Sequence, residues 1–149
     1  MILQQRRRRR GQALVEFALV APLFFLLLFA IIEGGRFVFY YEALNSATRE
    51  GARYAIIHGS NAADGCPSGP PAAGTTSCDP SGANVRAAVR RAALGLAGSG
   101  DFISLDVIWP LTNARSNPVT VRAAYGYRPV MPLLPNITIS SESTLVINN

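Results

Sequence analysis

Hydrophobic residues fill the chain almost without interruption from Ala13 to Ile32, where Glu16 is the only ionisable side chain. A helix of about 20 residues, rising about 1.5 Å per residue, roughly spans the hydrocarbon core of a bilayer. A secretory signal has a shorter apolar region, about 7–15 residues, before a cleavage site with small residues. Pro22 is compatible with a membrane helix, where other groups satisfy the carbonyl that proline leaves unpaired. The pattern therefore favours an uncleaved membrane-spanning helix over a secretory signal.

The helical period continues beyond this apolar run, from Phe37 to His58. Apolar or small residues recur there at spacings of three and four, and charged residues lie largely on the opposite face. No proline interrupts the segment, although Gly34-Gly35 is a potential hinge. We therefore predict one helix from about Ala13 to His58, roughly 70 Å long, that is both a membrane anchor and the spine of an external domain. The predicted inner face consists of Phe37, Tyr40, Leu44, Ala47, Gly51, Tyr54 and His58.

Small residues occupy every fourth position along part of this spine. Such a stripe allows the backbone of another helix to come close, as in small-xxx-small contacts. It equally suits a face that receives the β-sheet of the same chain, and this second interpretation is favoured because the stripe lies outside the lipid. The stripe consists of Ala43, Ala47, Gly51 and Ala55.

A second, shorter helix is predicted from about Ala83 to Leu96. The sequence Asp79-Pro80-Ser81 precedes it and provides a cap, and apolar residues follow at helical spacing. Glycines at positions 95, 98 and 100 end the helix.

Three later segments, residues 102–109, 119–128 and 137–147, alternate between apolar and polar positions. A period of two indicates strands with one buried and one solvated face, as in an antiparallel meander. The chain thus predicts an α+β fold, with a long amino-terminal transmembrane and spine helix, a short helix and a three-stranded antiparallel sheet. In the first strand the predicted buried face is Ile103, Leu105, Val107 and Trp109.

Both cysteines, Cys66 and Cys78, lie in a loop rich in Gly, Pro, Ser and Thr. No histidine or further cysteine lies near enough in sequence to complete a tetrahedral zinc site. A disulfide formed in an oxidising compartment is the favoured interpretation, and two unpaired thiols are the alternative.

The positive charge of the chain is concentrated at its amino terminus. Formal net charge is +5, and five arginines occupy positions 6–10. The other nine arginines balance the nine acidic residues, so the basic character belongs to a targeting segment and does not indicate a nucleic-acid partner. Positive charge immediately before a span holds that end in the cytoplasm, so the segment after Ile32 is expected outside.

This basic block ends at Gly11, and Glu16 follows at the entrance of the apolar run. The arrangement resembles the processing site of type IV pilins and pseudopilins, whose leader is removed at the cytoplasmic face while the apolar helix stays on the mature protein. The resemblance rests on Gly11, Gln12 and Glu16-Phe17. It implies cleavage after Gly11, which makes Gln12 the new amino terminus, and an assembly role for Glu16 and Phe17.

Two longer stretches narrow the resemblance to one family. Residues 11–22, GQALVEFALVAP, are similar to the opening of TadE-like proteins, and residues 45–55, NSATREGARYA, resemble their second signature. These proteins are minor pseudopilins of the Tad (tight adherence) pilus system. The resemblance implies a prepilin peptidase, other pilins and pseudopilins, and the pilus assembly machinery as partners, with residence in the bacterial cytoplasmic membrane or in the pilus itself. It covers about the first 58 residues.

The expected organisation of the chain has five parts. They are a cleavable leader (1–11), a transmembrane helix (12–33), an external continuation of the spine (34–58), a disulfide loop (59–82) and a small α+β external domain (83–149).

Two classes of function fit these features. The first is a minor pseudopilin that takes part in assembly or initiation of a Tad-type adhesive pilus. The second is a signal-anchored external binding or sensor domain without a pilus role. The pair of Gly11 and Glu16 favours the first, because a plain tether needs neither a cleavable glycine nor a carboxylate within the span. No catalytic, metal-binding or cofactor motif is present, so we predict that the protein is not an enzyme.

Overall fold

The computed structural model describes residues 2–93, 95–96, 102–131 and 134–148, with side chains from residue 11 onward. It contains two helices and three strands in the predicted order. They are α1 (Ile2–Ile57), α2 (Ala83–Ala92), β1 (Phe102–Ile108), β2 (Pro118–Tyr127) and β3 (Ile137–Val146).

The helix α1 continues without a break through Pro22 and through Gly34-Gly35. Proline removes a single backbone N–H donor, so one missing hydrogen bond does not end a helix of this length. The predicted spine is therefore confirmed. The helix begins at Ile2, before the predicted start at about Ala13, and its carboxyl end at Ile57 lies one residue before the predicted end.

The three strands form one antiparallel sheet in the order β1-β2-β3. Both helices pack on this sheet, and α1 contacts α2, β2 and β3. The core between them contains small residues from α1, valines from α2 and β2, and two tyrosines from β2. This arrangement confirms the predicted α+β fold. The most buried core residues include Leu44, Ala47, Ala52, Val85, Val89, Val121, Tyr125 and Tyr127.

The central strand β2 runs along α1 in the opposite direction to the helix. A Cβ atom added to Gly51 would lie 3.5 Å from Cγ1 of Val121, near the external end of α1. Further along β2, the ring of Tyr125 stacks on Tyr40, with centroids 5.7 Å apart. At the end of β2, Tyr127 reaches the first turn after the apolar segment of α1. The strand therefore descends the helix toward the apolar segment.

One strand face differs from the prediction. Ile103, expected in the core, is 62% exposed, because the pairing of β1 with β2 shifts register between Phe102 and Ser104. An extra residue in one strand reverses the inward and outward positions on one side of it. Phe102 consequently packs against the core in place of Ile103, while Leu105, Val107 and Trp109 keep their predicted inward orientation.

The second helix is shorter than predicted. It ends at Ala92, because the backbone of Ala93, at φ −86° and ψ 32°, is no longer α-helical. Leu96 is nevertheless fully buried, because a turn closed by its N–H to the Ala93 carbonyl (2.8 Å) brings it back to the core. A Cβ on Gly95 would lie 3.0 Å from the Phe39 ring. The predicted terminating glycines 98 and 100 lie outside the described residues.

Candidate processing and assembly site

The residues of the predicted processing site lie on successive turns of α1. Gln12 Nε2 donates a hydrogen bond of 3.2 Å to Glu16 Oε1, and both side chains are exposed. Among the side chains that the structure describes, none lies within 4 Å of a Cβ atom added to Gly11. Phe17 is exposed beside Glu16. The carboxylate of Glu16 thus lies one helical turn from residue 12, the distance at which side chains i and i+4 interact.

The apolar segment of α1 is uncovered by the described part of the chain. From Leu14 to Ile32, its large hydrophobic side chains are 39% to 74% exposed, around the whole helix. The helix is long and apolar enough to cross a membrane. A water-soluble surface seldom carries an apolar patch of this extent, so the segment needs an apolar environment from lipid or from other helices. This agrees with the predicted anchoring of the protein in a membrane.

Glu33 follows the apolar segment and is buried by the end of β2. Its carboxylate accepts a hydrogen bond from the Tyr127 hydroxyl and another from the backbone N–H of Val130, at 3.1 Å. Arg36 Nη1 forms an ion pair with Glu33 Oε1 at 3.4 Å. The Arg36 guanidinium also lies 5.9 Å and 5.8 Å from the ring centroids of Tyr40 and Tyr127. These contacts attach the sheet to α1 at the end of the apolar segment.

Burial, together with the hydrogen bond to Glu33, raises the pKa of Tyr127 to about 12. The phenol therefore keeps its proton and acts as a donor to the carboxylate throughout the physiological range. The sequence analysis did not predict this contact. The available signal was the alternation of β2, which places Tyr127 on the buried face, where a tyrosine hydroxyl needs a hydrogen-bond partner.

The stripe of small residues on α1 lies against the rest of the same chain. Ala47, Gly51 and Ala55 are buried, and Ala43 packs partly against the core. A Cβ atom on Gly51 would collide with Cγ2 of Val89, so glycine is what allows α2 to approach α1 there. The opposite, charged face of the spine remains exposed. It borders a shallow groove lined by Glu42, Ser46, Arg49, Glu50 and Arg53.

Polar residues of the second signature connect α1 to the sheet. Ser141 Oγ, on β3, donates a hydrogen bond of 2.6 Å to Asn45 Oδ1. The same hydroxyl lies 2.8 Å from Thr48 Oγ1, and Thr48 is fully buried. These bonds satisfy polar groups inside the helix–sheet interface, where an unpaired group would be unfavourable.

The loop between the helices contains a disulfide between Cys66 and Cys78, whose Cα atoms are 5.2 Å apart. The ring of Trp109 packs over this loop. A Cβ atom on Gly69, whose φ of +95° favours glycine, would lie 2.6 Å from Trp109 Cε2. His58 Nε2, at the end of the spine, lies 3.2 Å from Asp64 Oδ2. The loop is thereby held against the external end of α1 and the sheet.

Asp79 connects this loop to the start of α2. Its carboxylate accepts hydrogen bonds of 2.8 Å from the N–H groups of Ala83 and Asn84, which caps the helix as the sequence predicted. Burial opposes ionisation of Asp79, but these two bonds, with those from Ser81 and Ser68, outweigh burial and lower its pKa. The aspartate is therefore a charged cap.

Part of α1 is similar to a known protein family. Residues 11–53 match the family model described as TadE-like protein. This segment is similar to TadE-like proteins. This confirms the resemblance predicted from residues 11–22 and 45–55, and it suggests involvement in Tad pilus systems. The TadE-like segment ends before the disulfide loop, α2 and the sheet. No curated protein and no solved structure matches the chain.

Proposed function

We propose that the protein is a minor pseudopilin that takes part in assembly or initiation of a Tad-type adhesive pilus. The observation that carries this proposal is the apolar part of α1, which is exposed on all sides and has Glu16 one turn from Gln12. The TadE-like match to residues 11–53 supports it. A helix of this kind is covered by lipid before assembly and by the helices of other pilins afterwards.

In the proposed topology, α1 crosses the bacterial cytoplasmic membrane once, over residues 12–33. The arginines at positions 6–10 keep the amino end in the cytoplasm. The spine continuation (34–58), the disulfide loop (59–82) and the α+β domain (83–149) lie outside. This placement suits the Cys66–Cys78 disulfide, because such bonds persist in oxidising compartments.

Processing by a prepilin peptidase removes residues 1–11 and leaves an ammonium group on Gln12. That group lies one turn from Glu16, in the same chain or in the adjacent subunit. A charged carboxylate at the bilayer centre costs about 2.5–3.5 kcal/mol, and less near an interface, and a nearby ammonium would offset part of that cost. Pairing between subunits would set the axial offset of neighbouring helices, with Phe17 at the same contact.

Processing can be tested by intact mass spectrometry of the protein extracted from membranes. Cells with the complete Tad system should yield a chain that begins at Gln12. Matched cells without the prepilin peptidase should yield the chain with residues 1–11 attached. Retention of the leader in cells with the complete system would contradict the proposal.

Assembly can be tested separately in the same cells. The processed protein should co-purify with the other pilins or pseudopilins after mild crosslinking. A processed, membrane-resident protein that contacts none of them, in cells that make normal pili, would instead support the signal-anchored domain.

A further inference from the structure

We infer that the loop between β2 and β3 inserts apolar side chains into the outer interface of the bilayer that α1 spans. The described residues of this loop, 128–131 and 134–136, are called the membrane-proximal loop below. The inference rests on the proposed membrane anchoring of α1.

The direction of β2 determines the position of this loop. The strand descends α1 from the level of Gly51 to the level of Tyr40 and then Glu33. The last pair between β2 and β3 joins Tyr127 and Ile137, so the membrane-proximal loop extends beyond that pair. It forms the end of the sheet that faces the apolar segment of α1.

The depth of the loop is marked by one hydrogen bond. The backbone N–H of Val130 donates to Glu33 Oε2 at 3.1 Å, and Glu33 directly follows Ile32, the last residue of the apolar run. A span of about 20 residues from Ala13 to Ile32 crosses roughly one hydrocarbon core. Val130 is therefore placed at the outer boundary of the bilayer.

The composition of the loop suits that boundary. Val130 is 72% exposed and Leu134 is 44% exposed, although both are large hydrophobic residues. No ionisable side chain occurs between Pro129 and Ser141. Arg128, at the start of the loop, is exposed and long enough to reach phosphate groups while its stem lies along apolar surface.

Backbone polarity limits how deep a loop can enter a membrane, because unpaired N–H groups are unfavourable in hydrocarbon. The prolines at positions 129, 132 and 135 carry no N–H group. The N–H of Val130 is bonded to Glu33, and that of Leu134 is bonded to the Met131 carbonyl at 3.2 Å. The donors of Val130 and Leu134 are thus satisfied internally, which reduces the cost of placing this loop at the interface.

The part of α1 next to the loop also exposes large hydrophobic side chains. Val38 and Phe39 are each 58% exposed, and Tyr41 is 44% exposed, about one to two turns after Glu33. Aromatic residues are typical of the membrane–water interface. The bilayer is favoured over a protein partner as the occupant because the loop is bonded to the residue at which the apolar span ends.

The experiment uses the full chain in vesicles of phosphatidylethanolamine and phosphatidylglycerol. An environment-sensitive fluorophore is attached to Val130→Cys or Leu134→Cys under non-reducing conditions, which preserve the Cys66–Cys78 disulfide. The matched control is Leu111→Cys. Leu111 is 65% exposed and lies in the loop between β1 and β2, at the opposite end of the sheet.

Fluorophores at positions 130 and 134 should emit at shorter wavelength and lose emission when lipids with a nitroxide on the acyl chain are included. The fluorophore at position 111 should change little. Equal behaviour at all three positions would overturn the inference. A response at 130 and 134 to added partner pilins, without quenching by the lipids, would also overturn it and identify the loop as a protein contact.

Resistance to alkaline extraction, measured on the same vesicles, separates this inference from the proposed anchoring. Release of the protein at high pH would reject the membrane span itself. Retention without quenching at 130 and 134 would reject the membrane-proximal loop alone.

Discussion

Tyr127, at the end of β2, donates a hydrogen bond to the carboxylate of Glu33, which immediately follows the apolar segment of α1. The two residues are 94 positions apart in the chain. Through this contact the sheet is attached to the helix where the helix leaves the proposed membrane span. The orientation of the external domain relative to the span therefore depends on a buried polar pair as well as on apolar packing.

Replacing Tyr127 with Phe should lower the unfolding temperature of the external domain, because it leaves a buried carboxylate oxygen without its hydroxyl donor. The measurement is thermal unfolding of the full chain in detergent. Tyr41→Phe is the control, since Tyr41 lies on α1, as Glu33 does, but its side chain is 44% exposed. Equal effects of the two substitutions would show that the hydrogen bond adds nothing to stability.

The same pair predicts a dependence on alkaline pH. The pKa of Tyr127 in the folded protein is about 12, above the ordinary value near 10. The unfolded state therefore loses this proton first, and the contribution of Tyr127 to stability is present below about pH 10 and is lost as pH rises toward 12. The difference in denaturant midpoint between the wild type and Tyr127→Phe should shrink over that range. A difference that stays constant from pH 9 to 12, the range in which tyrosines titrate, would contradict the raised pKa of Tyr127.

Asp79→Asn should destabilise the protein by about 1 kcal/mol, because asparagine keeps one acceptor oxygen but loses the charge and the second acceptor for the α2 N–H groups. The folded-state pKa of Asp79 is lowered, so its contribution is present above about pH 4 and is lost as pH falls through the folded value. Chemical denaturation at neutral pH and in acid should show a difference that disappears in acid. Asp106→Asn is the control, because Asp106 is exposed on β1.

Removal of the disulfide with Cys66→Ser and Cys78→Ser should reduce stability by roughly 3 kcal/mol in the chain-entropy model. Hydrogen exchange should increase more in the loop than in the sheet, because the bond closes the loop and the sheet has its own core. Uniform acceleration across both regions would indicate that the disulfide supports the whole domain. Peptide mapping without reductant should recover Cys66 and Cys78 as one linked pair.

Glu16→Gln should leave leader cleavage and membrane insertion intact but reduce co-purification with partner pilins. Glutamine keeps the size of the side chain and removes the charge that would pair with the Gln12 ammonium. Glu42→Gln is the matched control, since Glu42 lies on the exposed charged face of the spine. Normal piliation and normal co-purification of Glu16→Gln would show that Glu16 is only a solvated carboxylate.

The sequence by itself determined the elements whose signals are local. The apolar run and helical period predicted a helix from about Ala13 to His58, which lies within α1 except for its last residue. Period-two alternation predicted three strands whose ends agree with the structure to within one residue. The motifs around Gly11 and Glu16 predicted the TadE-like match. These signals are local because helix and strand periods depend on residues only a few positions apart.

Tertiary structure decided the features that depend on distant partners. The register shift at Phe102–Ser104 turned Ile103 outward, and no alternation pattern specifies where an extra residue enters a strand. The small residues Ala47, Gly51 and Ala55 suited either another helix or the chain's own fold, and packing placed them against the core of the same chain. The level of β2 on α1 followed from tertiary contacts such as that of Tyr127 with Glu33, because strand periodicity defines a face but not the depth at which that face meets the helix.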